Sequence, residues 1–379
     1  MKIAHITNRY PPAIGGVEEY VKSISDRLVN RNNEIYIFTS HLKKNDSREK
    51  LGTPCYFYKK NLEILRFFSF SFPGALVYPI FPTLPFILLR KNVDIIHAHG
   101  YWYYPADISG FISRIKRVPF VFNPYFYKRY SWKWDLYKKF LGEHTMRADV
   151  IIVISEWEEK LINNEGFNFR RMELIPPGIN LEEFEHTEFN VFEKYKLIDR
   201  KVVLFVGRIA YIKGIDVLIK AAPHVLKKDP DTVFFIIGPD FGEKNKLELI
   251  IKDMNLEKNF IFAGELSRKE IISAYKNASI FVLPSRYEAF GIVLIEAMAS
   301  KLPIVATDCS AIPYVIKDGK NGLLFSIDDS NELAEKIILL LENNRLKNEI
   351  IANGFKIVKE KYNWEKSVTK LEKIYLSLI

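Results

Sequence analysis

The sequence predicts an α/β protein of two doubly wound, parallel-sheet domains facing each other across a cleft. Three observations predict it. The chain has 379 residues, more than one hydrophobic core ordinarily serves. Apolar runs of strand length alternate with stretches of helical periodicity, the pattern of a sheet covered by helices on both faces. The alternation breaks at the Pro-Pro-Gly turn of "LIPPGINLEEF" and then restarts, which marks a linker.

In the first half "KIAHIT" is a strand, followed by a Pro/Gly loop and a helix from about Val17 to Asn30. "EIYIFTS", "VDIIHAH", "PFVFN" and "DVIIVIS" are further strands. After the linker "KVVLFVG" is a strand, "IDVLIKAAPHVLKK" a helix, and "TVFFIIG", "FIFAG", "IFVLPS", "PIVATD" and "GLLFS" the remaining strands. "SNELAEKIILLLENN" and "WEKSVTKLEKIYLSLI" are closing helices. The boundaries that follow are 1–178 and 179–363, with the last helix, about 364–379, returning to the first domain.

The net charge of +9 is uneven: residues 1–180 hold 26 Lys and Arg against 17 Asp and Glu, whereas 181–379 hold 29 of each. A basic first half suits either a solvated surface or an anionic partner such as a lipid surface. Cys55 and Cys309 make no disulfide framework, and "MKIAHIT" lacks the apolar core of a signal peptide, so a cytoplasmic location is expected. Phe67–Leu89 carries no charge and is long enough to span a bilayer, but Pro73, Pro79, Pro82 and Pro85 interrupt it. Each interior proline costs a helix about 3 kcal/mol, so the expectation is a buried or interfacial irregular helix. "YFYKRYSWKWDLYKKF", 125–140, carries eight aromatics and five cations against one Asp; it suits a membrane interface, a sugar platform or a packing helix.

Ligands of such sheets sit beyond the carboxyl ends of the strands. Gly15 and Gly16 open the first helix, where backbone N–H groups can approach an anion or merely form a turn. Arg208 and Lys213 share the loop after the first strand of the second half and suit a diphosphate. Glu288 and Glu296 frame "EAFGIVLIE", a carboxylate at a helix mouth and another up to about 12 Å further along it. A buried carboxylate needs hydrogen-bond donors. Sugar hydroxyls supply them, as would a salt bridge in the core. Two grips this far apart, with cations between, have the shape of a nucleotide-sugar site. The one Asp-x-Asp, "DPD" at 229–231, falls in a predicted turn, and His97 and His99 share a strand face without further ligand spacing, so no metal is expected.

Together the "IGGVE" loop, "DIIHAHG", "VIVIS", "IPPGIN", "VGRIAYIKGID", "EAFGIVLIE" and "DGKNGLLF", in this order, resemble the family 4 retaining glycosyltransferases of the GT-B fold over essentially the whole chain. The resemblance implies an acceptor-side first domain and a donor-binding second domain. It implies that Glu288 binds the donor sugar with the backbone of Phe290, Gly291 and Ile292, that Glu296 takes the ribose, and that Arg208 and Lys213 stabilise the leaving diphosphate. Gly15 and Gly16 would offer N–H groups to phosphate, and Leu266 would meet the base. The family often carries a histidine near the donor sugar where this chain has Tyr125, with His99 close by as a partial substitute; Tyr314 replaces the acid of a "PEVI" motif. The expected function is hexose transfer from a nucleoside-diphosphate sugar to a lipid-linked or saccharide acceptor, without cofactor or nucleic acid, at an anionic membrane face. The alternatives are a 2-epimerase-type enzyme of the same fold or an inactive sugar-nucleotide-binding protein.

Overall fold

The computed structural model describes residues 1–13, 15–42, 56–70, 78–128, 131–185 and 189–379. The chain divides into two compact units, Met1–Pro177 with Trp364–Ile379, and Gly178–Asn363.

The first unit holds β1 (Lys2–Thr7), β2 (Glu34–Ser40), β3 (Tyr56–Lys59), β4 (Leu62–Phe67), β5 (Ile95–His99), β6 (Phe120–Asn123), β7 (Val150–Val153) and β8 (Met172–Leu174). Their order is β3-β4-β2-β1-β5-β6-β7-β8. All pairs are parallel except β3 with β4. Strands buried on both faces read as continuous apolar runs, as in β7, whose residues are all buried. The C-terminal helix Trp364–Leu376 lies against the helix Gly16–Asn30: Arg31 pairs with Glu365 and Glu372, and Trp364 meets the Tyr20 ring edge-on at 5.5 Å.

The second unit holds β9 (Val202–Val206), β10 (Val233–Ile237), β11 (Phe260–Gly264), β12 (Ile280–Leu283), β13 (Ile304–Thr307) and β14 (Leu323–Phe325), all parallel in the order β11-β10-β9-β12-β13-β14. In each sheet the chain winds outward to one side and then crosses to the other. The crossing points are β1 beside β5 and β9 beside β12. Loops leaving these strands diverge and open a crevice at their carboxyl ends.

Three expectations need correction. Among its described residues, the uncharged run Phe67–Leu89 does not form one irregular helix. Phe67 ends β4, Phe70 bridges Ile80, and of the described residues of the run only those from Leu84 onward, in Leu84–Arg90, are helical; 71–77 lie outside the described residues. The prolines account for the shortness, since Pro85 sits in the first turn, where its missing N–H costs nothing. Next, the antiparallel pair β3–β4 and the short β8 escaped the reading of the sequence. Finally, a helix over Asn344–Lys361 stands between the two that were expected to close the chain.

Candidate functional site

At the crossing point of the second unit, the loop Gly207–Gly214 follows β9, and the loop Pro284–Gly291 follows β12. Gly214 lies at φ +64°, and a Cβ there would meet the Pro284 carbonyl oxygen at 1.9 Å, so only glycine lets the two loops close on each other. The Arg286 amide donates to Ile212 O at 2.8 Å. Its guanidinium forks onto Asp216 at 2.9 and 2.8 Å, donates to Tyr211 O at 2.6 Å and lies over the Tyr211 ring. Arg286 was missed in the sequence, where its partner lies 70 residues away.

This staple brings Lys213 to Glu288: Nζ to Oε1 is 2.5 Å, and both side chains are largely buried. Ser285 Oγ donates to the same oxygen at 2.9 Å. Gly291, at φ +85°, caps the helix Ile292–Ala299, whose amino end therefore opens beside this ion pair. Phe290 is buried, with its ring edge-on to Tyr362 at 5.5 Å, and Ile292 is half-buried. Arg208 is exposed in the same loop as Lys213, over the Phe241 ring. Cys309 Sγ donates to Ser285 O at 3.0 Å; burial pushes its thiol up to about 11, so it is a neutral neighbour and not a nucleophile.

Glu296 is 8% exposed. Arg268 Nη1 pairs with its Oε1, and the Tyr275 hydroxyl donates to Oε2 at 3.1 Å. The carboxylate in the apolar run thus has protein donors. Arg268 and Tyr275 stand on the helix Arg268–Asn277, which Ser267 and Glu270 close with a reciprocal capping box. Leu266 immediately precedes that cap, so the residue expected at the base and the one expected at the ribose are joined through Arg268. The sequence reading overlooked Arg268, although "LSRKE" carries the capping signature. The "DPD" at 229–231 is a turn in which Asp229 pairs with Lys201 at 2.8 Å.

At the crossing point of the first unit the chemistry is different. Gly15 caps the helix Gly16–Asn30 in an extended conformation, and Glu18 in its first turn pairs with Arg9 at 2.6 Å, with both side chains nearly buried. That carboxylate already stands at the helix mouth assigned to phosphate. Below it, β1 and β5 put His5 opposite His97, and His99 on the same face. His97 Nδ1 lies 2.5 Å from the Tyr375 hydroxyl and Nε2 2.7 Å from Asn123 Oδ1. Asn123 Nδ2 donates to Ile152 O at 2.9 Å, so Oδ1 faces His97, Nε2 carries the proton, and Nδ1 accepts from Tyr375. His5 Nδ1 is 3.0 Å from His99 Nε2, and His99 Nδ1 is 3.3 Å from the Tyr125 hydroxyl. Burial lowers all three imidazoles, His97 to about 3. Sequence spacing showed two histidines; register supplies the third, and their ligating atoms lie within 4.8 Å of one another. The engaged nitrogens of His97 make this a hydrogen-bonded core cluster.

Tyr125 adopts a left-handed backbone, φ +47°. Glu158 holds this loop: its carboxylate accepts from Phe126 N at 2.7 Å and Ile154 N at 2.8 Å, and burial raises it to about 7. Further along 125–140, Phe126, Trp134 and Tyr137 are buried, and Lys128 and Lys138 share Glu165. Trp132, Leu136 and Phe140 are exposed. The segment is therefore both a packing element and an apolar surface. No helix among the described residues is long and apolar enough to cross a membrane.

The sequence pattern of the glycosyl transferases group 1 matches residues 187–357, and that of glycosyltransferase family 4 matches 14–183. An uncharacterised glycosyltransferase of Methanocaldococcus jannaschii is 26% identical over 99% of this chain and 98% of its own. Sucrose-phosphate synthase of Thermosynechococcus elongatus superposes with a TM-score of 0.80 at 23% identity, covering 100% of this chain and 98% of the other. Anabaena HepE in complex with UDP-glucose gives 0.77 at 18% identity over 100% of both chains. The fold is GT-B.

Proposed function

Since the chain belongs to the group 1, family 4 glycosyltransferases, we propose that it moves a hexose from a nucleoside-diphosphate sugar to a lipid-linked or saccharide acceptor with retention of configuration. One observation carries this reading: Lys213, Glu288 and the amino end of the helix Ile292–Ala299 converge at the crossing point of β9 and β12. A cation and a helix amino end suit a diphosphate whose charge grows as the glycosidic bond breaks. Lys213 has three donors, so it can hold Glu288 and a phosphate oxygen together. Arg208, exposed in the same loop, adds a fork. Glu288 and the backbone of Phe290, Gly291 and Ile292 would take the sugar, Glu296 the ribose, and Leu266 the base. Because Arg268 and Tyr275 already donate to Glu296, ribose hydroxyls would join an existing network. HepE, which shares the fold, was solved with UDP-glucose, in keeping with a nucleotide-sugar donor.

The reaction would pass through an oxocarbenium-like state with the acceptor hydroxyl attacking the face the diphosphate leaves. Lys213 and Arg208 would carry the charge a metal otherwise neutralises. His99 and Tyr125, 3.3 Å apart, would flank the acceptor side, the latter in the place of the family's usual histidine. Exposed Trp132, Leu136 and Phe140 beside Lys133 and Lys139 favour peripheral contact with anionic lipid, and so a lipid-linked acceptor. The test is a thermal-shift panel of UDP-, GDP- and ADP-sugars, followed by product analysis with and without acceptor in excess chelator. Stabilisation by one sugar nucleotide and metal-free transfer are expected. Isomerised sugar from donor alone would point to a 2-epimerase, and binding without turnover to an inactive receptor.

A further inference from the structure

A pocket of about 710 Å³ opens in the first unit at the amino ends of β6 and β7, next to Pro119 and Asp149. Tyr125 follows the opposite end of β6, about 13 Å away across a four-residue strand, and His99 ends the neighbouring β5 in register with Asn123. The pocket is therefore not the acceptor site, and nothing proposed above uses it.

Four arginines line it: Arg114, Arg117, Arg147 and Arg170. They face one carboxylate, Asp149, which pairs with Arg170 through Oδ1 and accepts the Phe120 amide at 2.9 Å through Oδ2. Arg114 donates to His144 O at 3.1 Å and contacts its ring. Burial and the cations of Arg114 and Arg147 keep His144 neutral, lowering it to about 4. Arg117 and Arg147 make no ion pair among the described residues. Each follows a helix end, Tyr104–Lys116 and Glu143–Met146, where carbonyl dipoles favour a cation. Even with about half a negative charge assigned to each helix end, roughly two positive charges remain. That surplus equals the charge of a phosphate monoester, about −1.5 to −2 at neutral pH. Arg117 also holds φ +56°, a conformation that glycine would adopt without strain. A left-handed helix cap here carries a guanidinium to the rim.

We infer that this pocket is a second anion site, taking the phosphoryl group of a phosphate monoester or diester through the forks of Arg117 and Arg147. Two sources share this chemistry, a soluble phosphate ester and an anionic lipid headgroup. Exposed Phe111 and Ile115, on the same helix as Arg114, give the second source an apolar margin. The inference stands apart from the donor site and from the identity of the acceptor.

The test is calorimetric titration of the full chain with glycerol 3-phosphate. Wild type is expected to bind. Arg117→Ala with Arg147→Ala should weaken binding by at least about tenfold, the scale of losing charge-assisted hydrogen bonds. Arg345→Ala, exposed in the second unit, should not change it. Both arginines are surface-exposed, so melting temperature should be unchanged, and the double lysine variant should retain part of the affinity. Co-sedimentation with phosphatidylglycerol vesicles separates the sources. Displacement by glycerol 3-phosphate assigns the site to a lipid headgroup. Vesicle binding that neither the ester nor the double variant alters assigns it to a soluble ester. Absence of heat with wild type, or equal affinity in the double alanine variant, overturns the inference.

Discussion

The two crossing points share a topology and differ in electrostatics. At β9 and β12, Lys213 and Glu288 are charged groups in contact beside a helix amino end. At β1 and β5, burial keeps three imidazoles neutral among Tyr125, Tyr375 and Asn123, and the helix mouth above them already holds Glu18. The fold supplies two crevices, and the one in the second unit carries the charged groups that the proposed diphosphate would need. A doubly wound sheet therefore says where a ligand can lie, and the side chains at its mouth say which ligand.

Removing the cation from the second unit should have the largest consequence. Lys213→Ala should lower transfer by about 10² or more, the scale of losing one transition-state charge donor, with circular dichroism unchanged. Activity near wild type would place the diphosphate elsewhere and erase the contrast. Acid should instead act on the first unit. The folded-state pKa of His97 is depressed to about 3, and those of His5 and His99 are depressed by burial as well. At these three sites, below the unfolded value of about 6.5, the unfolded chain binds more protons than the folded one, whereas Glu158, raised by burial to about 7, and Asp107, raised to about 6, act in the opposite sense. The histidine stabilisation is whole above about pH 6.5 and is lost as pH falls toward 3, at up to about 1.4 kcal/mol per pH unit for each histidine. Melting temperature followed from pH 7 to 4 should fall less, or rise more, in His97→Gln than in wild type, because that variant removes one of the three groups that lower stability in acid. An unchanged slope in that variant would mean that acid acts through other groups.

The weakest expected effect is at the surface. The wild type is expected to bind anionic vesicles weakly and with salt sensitivity, and Trp132→Ala with Phe140→Ala should reduce that binding. No association of the wild type with either anionic or neutral vesicles would favour a soluble acceptor.

The sheet strands were legible because each parallel strand is a short apolar run, such as "VVLFV". The hairpin β3–β4 was not, because Tyr58, Lys59 and Lys60 are exposed there and break the apolar pattern. Glu288 and Glu296 stood out as carboxylates near or inside an apolar helix. What supports them did not: Arg286 reaches Asp216 and Arg268 reaches Glu296 through contacts 70 and 28 residues apart, which no local pattern encodes. His5 joined the cluster by strand register, and Glu158 holds the Tyr125 loop through the amides of Phe126 and Ile154, which no local pattern announces. Periodicity reveals what is buried, whereas pairing between distant loops appears only once the sheet is assembled.

Donor kinetics and nucleoside diphosphate affinity of Glu288→Gln and Glu296→Gln test most directly whether the crevice of the second unit grips one ligand at two ends. Glu288→Gln should mainly lower kcat, because it positions the reacting sugar, and should hardly change the affinity for free nucleoside diphosphate. Glu296→Gln should mainly raise the donor KM and weaken nucleoside diphosphate binding, because a ribose contact is alike in ground and transition states. Equal weakening of nucleoside diphosphate binding by both variants would contradict a divided grip. Loss of folding in Glu296→Gln, with normal binding in the surviving protein, would leave Glu296 as a partner of Arg268 and Tyr275 alone.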